Sequence, residues 1–135
     1  MKRIYFILVS IIILGISFQS CTKEDDLLND GDARDVFVGE WSVTDNCNKQ
    51  TFRSTVSLDA NNTTQVIITN YANLGKSAEA VVAGNSIYIE SQDIGNGYTA
   101  TGNGRLNGDI ISWSNHNFET TGNSTVCSAT YARVK

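Results

Sequence analysis

The stretch Phe37-Val38-Gly39-Glu40-Trp41-Ser42-Val43-Thr44-Asp45-Asn46-Cys47 alternates along its length. Phe37, Gly39, Trp41, Val43 and Cys47 share one face, and Glu40, Ser42 and Thr44 the other. A period of two, with large apolar groups on one side, describes a half-buried β-strand. The pattern recurs downstream. Phe52, Ser54, Val56 and Leu58 oppose Arg53, Thr55 and Ser57. Residues 64–71 form a third run, whose consecutive Val66-Ile67-Ile68 leaves the inward face undecided. Residues 77–82 and 86–91 flank Ala83-Gly84-Asn85, and residues 98–106 and 109–115 flank Asn107-Gly108; both are hairpin signals. Residues 124–134 are the last run. No long 3.6-residue apolar period interrupts these runs, so the expectation is an all-β domain. Eight short strands joined by short loops make an up-and-down antiparallel meander the simplest architecture. Eight such strands can close into a barrel, which removes exposed edges. A β-sandwich is the alternative.

Upstream of this domain, Met1-Lys2-Arg3 is a positive start, residues 4–16 are almost wholly apolar, and Ser17-Phe18-Gln19-Ser20-Cys21 closes the run. A charged n-region, a short apolar h-region and a small residue before the cut describe an export signal, and the run is too short and wrongly flanked for a transmembrane helix. An ordinary secretory cut near Ser20, with Cys21 incidental, is the alternative. Ser20-Cys21-Thr22-Lys23-Glu24-Asp25-Asp26 resembles the junction of Bacteroidetes-type lipoproteins. The resemblance implies lipidation of Cys21, a membrane anchor, and location at the outer membrane or cell surface. The expected organisation is a signal peptide over residues 1–20, an acidic tether over 21–35 and a domain over 36–135. Cleavage leaves 115 of the 135 residues, with 8 bases against 14 acids. Six of those acids fall between Thr22 and Asp35, so the excess charge is local to the tether. No basic cluster exists, which argues against a nucleic-acid partner.

Cys47 and Cys127 remain once Cys21 is assigned to the lipid. An exported small domain with an even pair points to a disulfide, with two free thiols as the alternative. The pair also tests closure. Cys47 ends the first strand and Cys127 begins the last. First and last strands of an eight-strand barrel run antiparallel, so these two ends meet. If 47 faces 127, then Trp41 faces Arg133 and Val43 faces Tyr131. Gly39-Glu40-Trp41 resembles the Gly-x-Trp that opens lipocalin-like barrels. That resemblance implies an arginine of the last strand packed across the tryptophan, and Arg133 occupies the matching position. The whole domain is also similar to small Bacteroidetes lipoproteins with Trp/Tyr-x-Val-Thr-Asp/Glu-x-Cys early and Cys-x-Ala-Thr-Tyr late, a likeness that implies no activity.

Motifs for chemistry are absent from the sequence. The single histidine, His116, has no Cys-x-x-Cys companion for zinc and no oriented partner for base catalysis, and is expected at the surface. There is no Gly-x-Ser-x-Gly elbow. Glu79, Glu90 and Asp93 read as ordinary exposed carboxylates. Gly102-Asn103-Gly104 lacks the following helix of a phosphate loop and marks a bulge or bend. The expectation is a non-enzymatic protein without cofactor or metal. It either binds a small apolar or amphipathic ligand or docks an envelope protein with a filled barrel. A ligand pocket is expected away from the Trp41–Arg133 end, lined by Leu58 and Ile87. The oligomeric state is not legible.

Overall fold

The computed structural model describes residues 31–135; Cys21 and the signal segment lie outside the described residues. Gly31–Lys135 forms one compact unit. Its strands are β1 (Gly39–Asp45), β2 (Thr51–Leu58), β3 (Gln65–Tyr71), β4 (Lys76–Ala83), β5 (Ser86–Gly95), β6 (Tyr98–Asn107), β7 (Ile110–Thr120), β8 (Asn123–Thr125) and β9 (Ala129–Arg133). Every pairing is antiparallel, in the order β6-β5-β4-β3-β2-β1-β9-β7, and β6 pairs with β7 to close the ring. The result is a lipocalin-like barrel of eight strands with one short addition, β8, on the end of β7. Closure excludes the sandwich. The last run is not one strand as expected: it breaks at residues 126–128, between β8 and β9.

The seam follows the cysteine register. Trp41 lies opposite Arg133, Val43 opposite Tyr131 and Asp45 opposite Ala129. One step further, Cys47 and Cys127 are disulfide-bonded with Cα atoms 5.5 Å apart, an ordinary separation for a bridge. The Arg133 guanidinium carbon sits 4.3 Å from the Trp41 ring centroid, and its nitrogens donate to Val38 O (2.8 Å) and Val36 O. A guanidinium over an indole face is worth about 0.5–2 kcal/mol. Gly39 has φ +138°, and a Cβ there would lie 3.0 Å from Arg133 Nη1. The motif glycine therefore makes room for the arginine and holds a backbone angle that side chains disfavour.

A short turn over residues 33–37 covers this end. Phe37 is wholly buried, and Trp41 Nε1 donates to its carbonyl at 2.9 Å. Arg34, 7 % exposed, donates to the carbonyls of Asp59 (3.2 Å), Asn62 (2.8 Å) and Gln65 (2.9 Å). These three carbonyls bracket the β2–β3 connection, so one charged donor ties it to the 33–37 turn; Asn62 O and Gln65 O also accept from the backbone N–H groups of Gln65 and Asp59. The folded unit thus begins before the expected boundary at Val36, and Asp32 and Arg34 belong to it.

The antiparallel order places Leu58 and Ile87 at this same Arg133 end: Gly39 pairs with Val56, Leu58 with Val66, Val66 with Ala80 and Val82 with Ile87. Strand direction alternates, so the end of β2 and the start of β5 must lie beside the start of β1. The expected pocket opposite Trp41–Arg133 is therefore corrected. Leu58 is on the rim, 41 % exposed, while Ile87 is in the core and wholly buried.

The interior is packed with rings. Trp41, Tyr71, Tyr131, Phe37, Ile68, Ile87 and Ile111 show no accessible surface, and Trp113 shows 2 %. Small residues make this fit. The Trp113 ring lies so close to β6 that a Cβ on Gly102 or Gly104 would come within 2.8 Å of it. The glycines expected to mark a bend are thus a seat for an indole, and the register irregularity is also there, between Asn103 and Gly104. We predict that Gly104→Ala costs about 1–3 kcal/mol through overpacking, whereas Asn103→Ala on the outer face costs under about 0.5 kcal/mol. Urea denaturation midpoints of the two variants provide the check; equal midpoints would contradict the packing account.

Candidate functional site

Two β-bulges bring polar side chains into this apolar interior. On β3, Val66 and Ile68 point inward, so strict alternation would send Asn70 in and Tyr71 out. The β3–β4 register shifts between Ile68 and Tyr71, and Asn70 takes φ 52°. Asparagine tolerates the left-handed region better than most residues. Its side chain braces the distortion, donating to Arg53 O (2.8 Å) and accepting from Gly75 N (2.9 Å). Tyr71 is thereby turned inward and wholly buried. On β7, Ile111 and Trp113 point inward, so alternation would leave His116 outside. Ser114 is the extra residue: Gly104 pairs with Trp113, but Asn103 pairs with Asn115. A one-residue slip exchanges faces. His116 is therefore 1 % exposed, which corrects its expected surface position.

These residues meet in the half of the barrel nearer the disulfide. His116 Nε2 lies 2.8 Å from the Tyr131 hydroxyl, and the His116 ring centroid is 4.3 Å from that of Tyr71. The Tyr71 hydroxyl shares its single proton between Thr101 O (2.9 Å) and Asn117 O (3.0 Å), reaching across the barrel from β3 to β6 and β7. Ser54, 2 % exposed, donates to Thr69 O at 2.6 Å. Asp45, 2 % exposed, accepts from Cys47 N at 2.7 Å. Asn117 Oδ1 accepts from Cys127 N at 2.9 Å, and His116 N donates to Cys127 O at 2.7 Å. These two bonds satisfy the Cys127 backbone where β8 breaks from β9, and Asn46 N donates to Ser128 O at 3.0 Å beside it. Among the described residues, His116 Nδ1 and Trp113 Nε1 have no hydrogen-bond partner.

Burial sets the protonation states. It pushes the His116 imidazole down to about 4, because the cation would lose its water; the Asp45 carboxylate and a backbone hydrogen bond pull weakly the other way. Burial likewise raises the Tyr71 and Tyr131 phenols above the ordinary tyrosine range. At neutral pH the cluster is a neutral imidazole bonded to a neutral phenol. The imidazole is enclosed by the rings of Tyr71, Trp113 and Tyr131, with centroid separations of 4.3, 5.5 and 5.5 Å. Asp45, Cys47 and Cys127 also place ligand-type atoms within 4.8 Å of one another. Both sulfurs are spent on the disulfide, which removes the thiolates a metal would need. The cluster ties β3, β6, β7 and β9 together. Glu79, Glu90 and Asp93 lie on the outer face, as their sequence pattern suggested. All three are exposed, and the Gln92 amide instead bridges β5 to the Glu79 backbone, accepting from its N–H (2.8 Å) and donating to its carbonyl (2.7 Å).

Comparison of the chain with models of protein families, with curated proteins and with solved structures returns no match. What the geometry defines is a class of architecture: a filled, closed antiparallel barrel of lipocalin-like topology, stapled at its seam.

Proposed function

We propose that this chain is an exported envelope lipoprotein, anchored through Cys21, whose barrel is a non-enzymatic interaction module working through its outer surface. The filled interior carries this reading. A carrier of small apolar molecules needs a cavity of about 300–1,000 Å³ with an apolar lining. Here the side chains that would line it are the most completely buried in the domain. The outer surface offers contact instead: Val36, Leu58 and Ile110, exposed by 50, 41 and 44 %, all belong to the Arg133 end, which the 33–37 turn covers. The amino-terminal sequence supports the anchor. A diacylated cysteine gives stable attachment where a single chain gives only marginal binding.

Two measurements test the reading. The folded protein should show no saturable binding of anilinonaphthalene sulfonate; saturation in the micromolar range, about −8 kcal/mol, would restore the carrier function. Metabolic palmitate labelling should mark the wild type and not Cys21→Ser, with the wild type in the membrane fraction. Equal labelling, or a soluble wild type, would overturn the anchor.

A further inference from the structure

Outside the barrel, the β4–β5 and β6–β7 turns enclose a surface depression of about 490 Å³, lined by Asn85, Arg105, Leu106, Asn107 and Ser112. Its frame is held by backbone: Leu106 N donates to Asn85 O at 2.8 Å, which binds the two turns to each other. Arg105 lies between two serines on the outer face, directly opposite Ser86 on β5 and Ser112 on β7. Among the described residues Arg105 has no carboxylate partner. Asp109, four residues on, is held by Arg133 Nε (3.5 Å) at the end of β9 and by Lys135 Nζ (3.4 Å) just beyond it. Nor, among the described residues, do the side chains of Asn85, Asn107 or Ser112 hydrogen-bond to protein. Four polar side chains with unspent donors thus surround one concavity, while the Leu106 side chain turns to the opposite face of β6 and packs on the barrel core.

We propose that this depression binds a carboxylated sugar residue. The Arg105 fork matches a carboxylate, which it can hold by two parallel charge-assisted bonds. The amides of Asn85 and Asn107 and the Ser112 hydroxyl each donate and accept, as sugar hydroxyls do. The volume lies within the range of about 300–1,000 Å³ usual for small-ligand sites. An isolated acidic side chain of a peptide would engage Arg105 and leave the amides idle, so the sugar is the better complement. The site does not depend on the lipid anchor, nor on the barrel's acting as a docking module.

The test is an amide NMR titration of the folded protein with galacturonate, galactose, acetate and N-acetylglutamate. Galacturonate should give saturable shifts confined to Asn85, Arg105, Asn107 and Ser112. Galactose, lacking the carboxylate, and acetate and N-acetylglutamate, lacking the ring hydroxyls, should each bind about tenfold more weakly or worse. Arg105→Gln should lose about tenfold in affinity and Asn85→Ala should weaken binding too, both with the remaining spectrum unchanged. Absence of saturation by galacturonate overturns the proposal. Equal binding of N-acetylglutamate or acetate overturns the sugar assignment, and undiminished binding by Arg105→Gln overturns the site.

Discussion

Removing the bridge, by Cys47→Ala with Cys127→Ala, lowers the unfolding free energy by about 4–5 kcal/mol at most. The two cysteines are 80 residues apart, so the disulfide closes almost the whole barrel and restricts the unfolded chain strongly. It also holds the place where β8 gives way to β9. There the ladder is interrupted, and Asn117 and His116 supply the hydrogen bonds of Cys127. A chain of this size has a total stability of about 5–15 kcal/mol, so the reduced protein sits near its unfolding threshold. Urea denaturation of oxidised protein, reduced protein and the double variant measures the effect. The reduced protein and the variant should unfold together, far below the oxidised protein. Coincidence of all three curves would show that the bridge contributes nothing to stability.

Acid destabilises this protein through His116. The imidazole titrates near 6.5 in the unfolded chain and is held at about 4 in the fold, chiefly by burial. Between those values the unfolded state binds the extra proton, so stability rises with pH and falls on acidification. The contribution is fully present above pH 6.5 and is lost as pH drops through 4, for a total of about 3 kcal/mol. The groups facing the imidazole are Asp45, Tyr71 and Tyr131; burial keeps both phenols neutral throughout this window. His116→Gln retains a polar group but does not titrate. Between pH 7 and pH 4 the wild type should therefore lose about 3 kcal/mol more than the variant. Parallel pH profiles would mean that His116 is charged, or accessible, in the native state.

Much of the fold was legible because a strand writes its burial at a period of two. Residues 37–43 and 52–56 carry that period, and β1 and β2 follow it there; Asp45 on the inward face and the exposed Leu58 are where it ends. The seam register was legible on the premise of a closed barrel, with the sandwich left open. An even barrel forces its first and last strands to run antiparallel, and one cysteine on each sets their register to the residue. The polar interior was not. Tyr71 and His116 come inside only because Asn70 and Ser114 are extra residues, and each bulge moves everything after it to the opposite face. Asn70, followed by turn-forming residues, carries a faint local signal; Ser114 carries none.

The sequence by itself determined the all-β character and, once Cys47 is taken to face Cys127, the position of Arg133 opposite Trp41. Each follows from local alternation or from a covalent constraint, and neither needs the rest of the core. Barrel or sandwich, and bridge or free thiols, were decided by the tertiary structure. Only the tertiary structure decided that the barrel is full. Whether eight strands enclose a cavity depends on how rings from opposite walls share the same space. Trp113 lying flat on Gly102 and Gly104 is an example that no single strand records.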